Sequence, residues 1–162
     1  MSTNSGAFQK RLAKAKNYVY RLLTYRSRSC QEVRERLKRK GFSKKIIDRV
    51  VVELKELNYL NDAEFSSTWV DTKLSRNPCG RRLIEQELRR KGIDEEIIRD
   101  VTEGAYGESG EEKIAYNLGL KKVQKYADLD DRKKWQRLYN FLARRGFPLE
   151  VVHDVLNKVL EN

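Results

Sequence analysis

Apolar positions recur along this chain at spacings of three, four and five residues, which places them in one stripe along a helix face. No stretch alternates in the period-two manner of a half-buried strand. Three segments answer one another: Leu37-Lys38-Arg39-Lys40-Gly41-Phe42, Leu88-Arg89-Arg90-Lys91-Gly92-Ile93 and Leu142-Ala143-Arg144-Arg145-Gly146-Phe147, with their glycines 51 and 54 residues apart. Four residues before each glycine stands a leucine, and eight before it Val33, Ile84 or Leu138. Five, six and nine residues after it come Ile46-Ile47-Val50, Ile97-Ile98-Val101 and Val151-Val152-Val155. Repetition of this kind marks a tandem array. The fold class it predicts is all-α: an elongated array of three tandem three-helix repeats, each reading helix, helix, glycine corner, helix.

Local signals agree with that reading. Each glycine follows a leucine and two residues that are mostly basic, where a helix end takes a left-handed residue and welcomes cations against its free carbonyls. Ser43 and Asp94 fit as N-caps of third helices, and Pro148 as a first-turn proline. Ser29-Cys30-Gln31-Glu32 has the spacing of a capping box. The first helices are less alike: Phe8, Leu12, Ala15, Val19, Leu22 and Leu23 in the first copy, Phe65, Trp69 and Val70 in the second, Ile114, Ala115, Leu118 and Val123 in the third. The expected units are 1–60, 61–106 and 107–162. Gly104 to Gly110 holds three glycines in seven residues and is the better hinge candidate. Units this small bury little alone and lean on their neighbours. Three in a row make a rod or arc with a radius of gyration above about 20 Å, against about 15 Å for one packed globule.

Charge changes the picture more than composition does. Of 162 residues, 35 are Lys or Arg and 24 Asp or Glu, and the imbalance is confined to one end. Residues 1–60 carry 16 basic and 5 acidic side chains, an excess of 11, whereas residues 61–162 carry 19 of each. A one-sided field favours a polyanion or an acidic protein surface as partner. The candidate binding residues are Arg26 and Arg28 before the second helix, Arg34, Lys38, Arg39 and Lys40 along it, and Lys44 and Lys45 opening the third; Arg81, Arg82, Arg89 and Arg90 form a diluted counterpart in the second copy. Glu32–Arg36 and Glu35–Arg39 have i,i+4 spacing, so part of this charge is self-neutralised. Trp69, Trp135, Phe65 and Phe141 fall within helical apolar patterns and are expected in the core rather than on a stacking surface.

Several chemistries are excluded at the level of motif. The lone histidine, His153, rules out a Ser-His-Asp triad or a multi-histidine metal site, and Cys30 and Cys79 lack the spacing of a zinc site or a disulfide framework. Phosphate-loop, nucleophile-elbow and zinc-protease motifs are absent. Paired acids such as Asp130-Asp131 and Glu111-Glu112 suit helix starts. No cofactor and no enzymatic activity are expected. The first residues lack the apolar segment of a secretory signal and no run suits a membrane span, so a cytoplasmic location is expected.

The run Arg34-Glu35-Arg36-Leu37-Lys38-Arg39-Lys40-Gly41-Phe42, the joint Tyr59-Leu60-Asn61-Asp62-Ala63-Glu64-Phe65 and the run Gly80-Arg81-Arg82-Leu83-Ile84-Glu85-Gln86-Glu87-Leu88-Arg89-Arg90-Lys91-Gly92-Ile93 together resemble the RecX family of bacterial recombinase regulators. The resemblance spans about residues 15 to 160; the family pattern usually has an acid where this chain has Asn61. It implies an elongated three-repeat protein without catalytic residues of its own. Such a protein lodges in the groove of the RecA–single-stranded-DNA filament and lowers ATP hydrolysis, strand exchange and assistance to repressor cleavage in the SOS response. It further implies a monomer with some non-specific binding of single- or double-stranded DNA. A different class, a helix-turn-helix DNA-binding regulator, has the same three-helix outline. The third helix of the first copy, opening Lys44-Lys45-Ile46-Ile47, lacks an obvious set of base-reading side chains for that role.

Overall fold

The computed structural model describes residues 3–108 and 110–160, with side chains from residue 6 onward. Among them nine α-helices follow one another: α1 Thr3–Tyr25, α2 Cys30–Arg39, α3 Lys44–Glu56, α4 Asp62–Arg76, α5 Arg81–Arg90, α6 Glu95–Tyr106, α7 Gly110–Val123, α8 Asp131–Arg144 and α9 Leu149–Leu160, with a 3₁₀ turn at Gln124–Tyr126. They pack in threes around three separate apolar clusters. Val33, Leu37, Val50 and Leu54 are fully buried in the first, Ile84, Leu88 and Val70 in the second, and Leu138, Leu142 and Val152 in the third. The exposed surface is 10,892 Å² for 19.1 kDa, against roughly 8,400 Å² for a compact monomer of that mass. That excess is what an array in which units touch end to end should show.

The three corners are one structure made three times. Gly41, Gly92 and Gly146 have φ of 78°, 72° and 80°, a conformation that a Cβ penalises and glycine does not. At each, the amide after the glycine donates back to the buried leucine's carbonyl: Phe42 to Leu37 at 3.2 Å, Ile93 to Leu88 at 3.2 Å and Phe147 to Leu142 at 3.4 Å. The glycine amide donates to the carbonyl three residues back, completing a Schellman motif.

Helix starts follow the local chemistry with small departures. Ser29 and Glu32 form both halves of the capping box, and Asp94 accepts from the Glu96 amide. Asn61 caps α4 by accepting from Ala63 and Glu64, so the amide does the work of the acid expected there. Ser43 occupies the N-cap of α3 without a side-chain bond. Pro148 stands one residue before α9, where its carbonyl accepts from Val152. The expected burial of Trp135 is corrected: it is 38% exposed and stacks on Tyr139 with centroids 5.1 Å apart, because Leu138 and Leu142 take the inward stripe of α8. Trp69 and Phe141 are half-buried, while Phe65 is 5% exposed.

The break expected within Gly104–Gly110 narrows to the residues between α6 and α7, where Gly107 has a φ of 55°. Gly104 lies inside α6, and Tyr106 is 3% exposed with its hydroxyl donating to the Cys79 carbonyl at 2.9 Å. On the far side, Glu111 accepts from the Arg81 amide at 2.7 Å; Ser109 lies outside the described residues. No helix of the described residues is long and apolar enough to cross a membrane.

Candidate functional site

On the second helix of the first unit the inner face is taken by Cys30, Val33 and Leu37, and every other residue of Cys30–Arg39 is polar. On α2 that leaves Lys38, Arg39 and Lys40 exposed at the C-terminal end, next to Lys44 and Lys45 at the start of α3. The Gly41 corner brings these five together. Lys38 and Lys44 have no ion-pair partner among the described residues. Lys40 lies 5.5 Å from the Tyr18 ring and Lys45 5.4 Å from the Phe8 ring, contacts that leave the ammonium charge available. Arg39 is held only loosely by Glu35, at 3.8 Å and 72% exposed. Arg11, which charge counting alone did not single out, reaches this corner from α1 and donates to the Gly41 carbonyl at 3.3 Å.

The other candidates are placed elsewhere. Arg26 grips Glu32 with both guanidinium nitrogens, at 2.9 and 3.2 Å, so Glu32 pairs with Arg26 rather than with the expected Arg36. Arg28 is half-buried, donates to the Leu22 carbonyl at 3.5 Å and has its pKa lowered by burial and by the neighbouring Arg26 and Arg36 charges. Arg34 is bound to Asp48 across the α2–α3 groove. In the second unit Arg89 is neutralised by Glu95 at 2.6 Å and Glu85 at 3.5 Å. Arg81 lies 5.8 Å from the Tyr106 ring, and its amide is taken by Glu111. Arg82 and Arg90 are exposed without ion-pair partners among the described residues.

Sequence reasoning overlooked the residues that hold the units together. At the first joint the Ser29 hydroxyl donates to the Lys91 carbonyl at 2.7 Å, the Cys30 amide donates to Asp62 at 2.8 Å, and the Lys91 ammonium lies 3.9 Å from Glu32. At the second the Gly80 amide donates to the Arg145 carbonyl at 2.8 Å, and Arg145 reaches Asn77 and the Pro78 carbonyl. The available signal was an acid in the first turn of the next unit's first helix, Asp62 or Glu111, which caps the second helix of the unit before it.

Burial pushes the Glu32 carboxyl up, but Arg26, the Ser29 amide and Lys91 outweigh it and hold the group below its ordinary 4.5. A carboxylate depressed in the folded state stabilises above its unfolded pKa and loses that share as pH falls through the folded value. Thermal stability should therefore fall on acidification from pH about 5 to 3, and Glu32→Gln should flatten that slope. An unchanged slope would deny Glu32 this role. Glu111 has the opposite sign, since burial raises its carboxyl; its share is present in acid and lost as pH rises through its folded value. Burial and the nearby Asp62 charge raise the Cys30 thiol to about 11, and burial raises Cys79, so both remain protonated and unsuited to nucleophilic work.

Fold and surface together define a class: a tandem three-helix-repeat protein with a cationic first unit and self-capping joints. Models of three domains match in chain order: the RecX first three-helix domain over residues 15–54, the second over 61–101 and the third over 110–156. The regulatory protein RecX of Amycolatopsis mediterranei is 32% identical over 152 residues, covering 94% of this chain and 86% of that one. That of Clostridioides difficile is 31% identical over 147 residues, covering 91% and 68%. The crystal structure of RecX from Lactobacillus salivarius superposes with a TM-score of 0.83 at 22% identity, over 93% of this chain and 97% of that chain. A second crystal structure of a regulatory protein RecX gives 0.80 at 23%, over 92% and 73%. The chain belongs to the RecX family of regulatory proteins.

Proposed function

We propose that this protein is a negative regulator of the RecA recombinase, a cytoplasmic monomer that lies along the groove of the RecA–single-stranded-DNA filament. There it lowers ATP hydrolysis, strand exchange and coprotease activity, and so modulates DNA repair and the SOS response. It acts by binding and not by catalysis. Units 1–60, 61–106 and 107–162 each contribute a weak contact, and linkage raises their joint affinity through effective concentration. The observation that carries this reading, beside family membership, is the cluster of exposed, largely unpaired cations at the Gly41 corner at one end of a thin array. Such a cluster suits an acidic protein patch or DNA phosphates without regard to base sequence.

The helix-turn-helix alternative has less support. Asp48 and Glu53 lie on α3, where a recognition helix would face DNA, and each is engaged by a cation, Arg34 and Lys16 respectively. The test is to add the purified protein to preformed RecA filaments and follow ATP hydrolysis with time. Hydrolysis should fall. Exposed charge contacts are worth on the order of 1 kcal/mol each, so Lys38→Glu, Arg39→Glu, Lys44→Glu and Lys45→Glu together should weaken inhibition about a thousandfold while helicity is retained. Undiminished inhibition would remove this face from the mechanism, and unchanged hydrolysis with the native chain would remove the function.

A further inference from the structure

The array grows by one joint used twice. In both, the N-terminal turn of a second helix seats on the glycine corner of the following unit. The Ser29 hydroxyl fills the Lys91 carbonyl, and the Gly80 amide fills the Arg145 carbonyl. The seating is close: a Cβ on Gly92 would lie 2.5 Å from Gln31 Cβ, and one on Gly146 would lie 2.8 Å from Leu83 Cβ. The residues after those glycines, Ile93 and Phe147, are 5% and 4% exposed.

The first unit presents the same corner with no helix start seated on it; Arg11 of α1 reaches it from the side and donates to the Gly41 carbonyl at 3.3 Å. No described residue donates to the Lys40 carbonyl, and a Cβ on Gly41 would meet nothing within 4 Å. Phe42 is only half-buried and lines a cleft of about 550 Å³ with Ile47, Lys38 and Lys44. The other end of the array differs. Helix α8 has 14 residues where α2 and α5 have 10. Its extra turn overruns the register at which Ser29 and Gly80 make their joints, so the third unit has no matching seat for a fourth. The Gly41 corner is left open.

We infer that the Gly41 corner is a docking site for the N-terminal turn of a helix in a protein partner, one with a hydroxyl or amide donor at its cap and an acidic side chain in its first turn. The free Lys40 carbonyl and the negative end of the α2 dipole attract the amides and positive end of such a helix. Lys38, Lys40 and Lys44 meet its acid, as Lys91 meets Glu32, and Phe42 supplies the apolar floor. A bare phosphate would satisfy the lysines but face the carbonyl with acceptors only. The chemistry of the occupant stands on the two internal joints; naming it as a RecA helix rests on the function proposed above.

Two arms test this on the full-length protein. In the first, a hydrocarbon-stapled helical peptide of residues 27–40 is titrated into the isotope-labelled chain. The Lys40, Gly41 and Phe42 amides should shift, and a peptide carrying Ser29→Ala and Glu32→Ala should bind at least about fivefold more weakly. Shifts elsewhere, or insensitive to those two changes, overturn the docking chemistry. In the second arm, photo-crosslinking benzoylphenylalanine replaces Ser43 and the chain is irradiated on RecA–DNA filaments. Crosslinks to the first turn of a RecA helix support the inference. Crosslinks to DNA or to a second copy of this chain overturn it, as does co-sedimentation without crosslinking. Failure to co-sediment removes RecA as the partner, and the peptide arm alone then decides the chemistry of the corner.

Discussion

Gly80→Ala should uncouple the third unit from the second. A Cβ at this position would sit 2.2 Å from the Gly146 carbonyl oxygen and 2.6 Å from the Phe147 amide nitrogen. Both are backbone atoms of a hydrogen-bonded corner, so no side chain can rotate out of the way. The two units must move apart, and the Gly80 amide loses the Arg145 carbonyl that it holds at 2.8 Å. Overpacking a rigid contact of this kind costs about 3 kcal/mol. Because the strain falls on a joint rather than on a core, the expected signature is loss of coupling more than loss of helix. Denaturant unfolding should broaden or split, with far-UV circular dichroism nearly native before the transition. If binding uses all three units in a fixed array, filament affinity should fall at least about tenfold with the lost effective concentration. A single sharp transition at the native midpoint would show that the joint relaxes freely.

The second large effect is expected from Leu142→Ala. This side chain is fully buried in the third cluster, between Leu138 on its own helix and Val152 and Leu156 on α9, and its carbonyl anchors the Gly146 corner. Truncating a buried leucine costs about 3 kcal/mol through lost transfer energy and the cavity left behind. That is a large share of what one unit of about 50 residues holds. Hydrogen exchange should therefore show α7 to α9 losing protection while α1 to α3 keep theirs. Uniform loss along the chain would mean that the three clusters unfold as one body. The two substitutions complement each other: Gly80→Ala attacks the seam between intact cores, and Leu142→Ala empties one core while leaving the seam's residues in place.

Much of this architecture is legible from residue order, for a specific reason. The leucine four residues before each glycine, the glycine itself and the aliphatic residues that follow act within a dozen residues of one another. They specify a stripe, a helix end and a return, so the sequence of elements and nearly all the buried positions can be read directly. The departures fall where tertiary competition overrides the local pattern. Trp135 has helical spacing with Leu138 and Leu142, yet three units of this size have room for only one stripe from α8, and the tryptophan is left outside. Gly104 looks like part of a hinge by composition, but α6 continues through it to Tyr106, two residues on, whose buried hydroxyl donates to the Cys79 carbonyl.

The surface divides in the same way. Local sequence was sufficient to establish that the chain is all helical, that it is built three times over, and that its excess positive charge belongs to the first unit, since periodicity, glycine corners and charge counts depend on near neighbours alone. Which of the candidate cations remain available was decided by folding: Arg34 is claimed by Asp48 on α3, and Arg26 and Arg89 by Glu32 and Glu95 across helix boundaries, while Lys38 and Lys44 meet no such acid among the described residues. The joints were decided there as well. Ser29 meets Lys91 across 62 residues and Gly80 meets Arg145 across 65, and contacts at that range follow from how finished units stack rather than from any pattern within one of them.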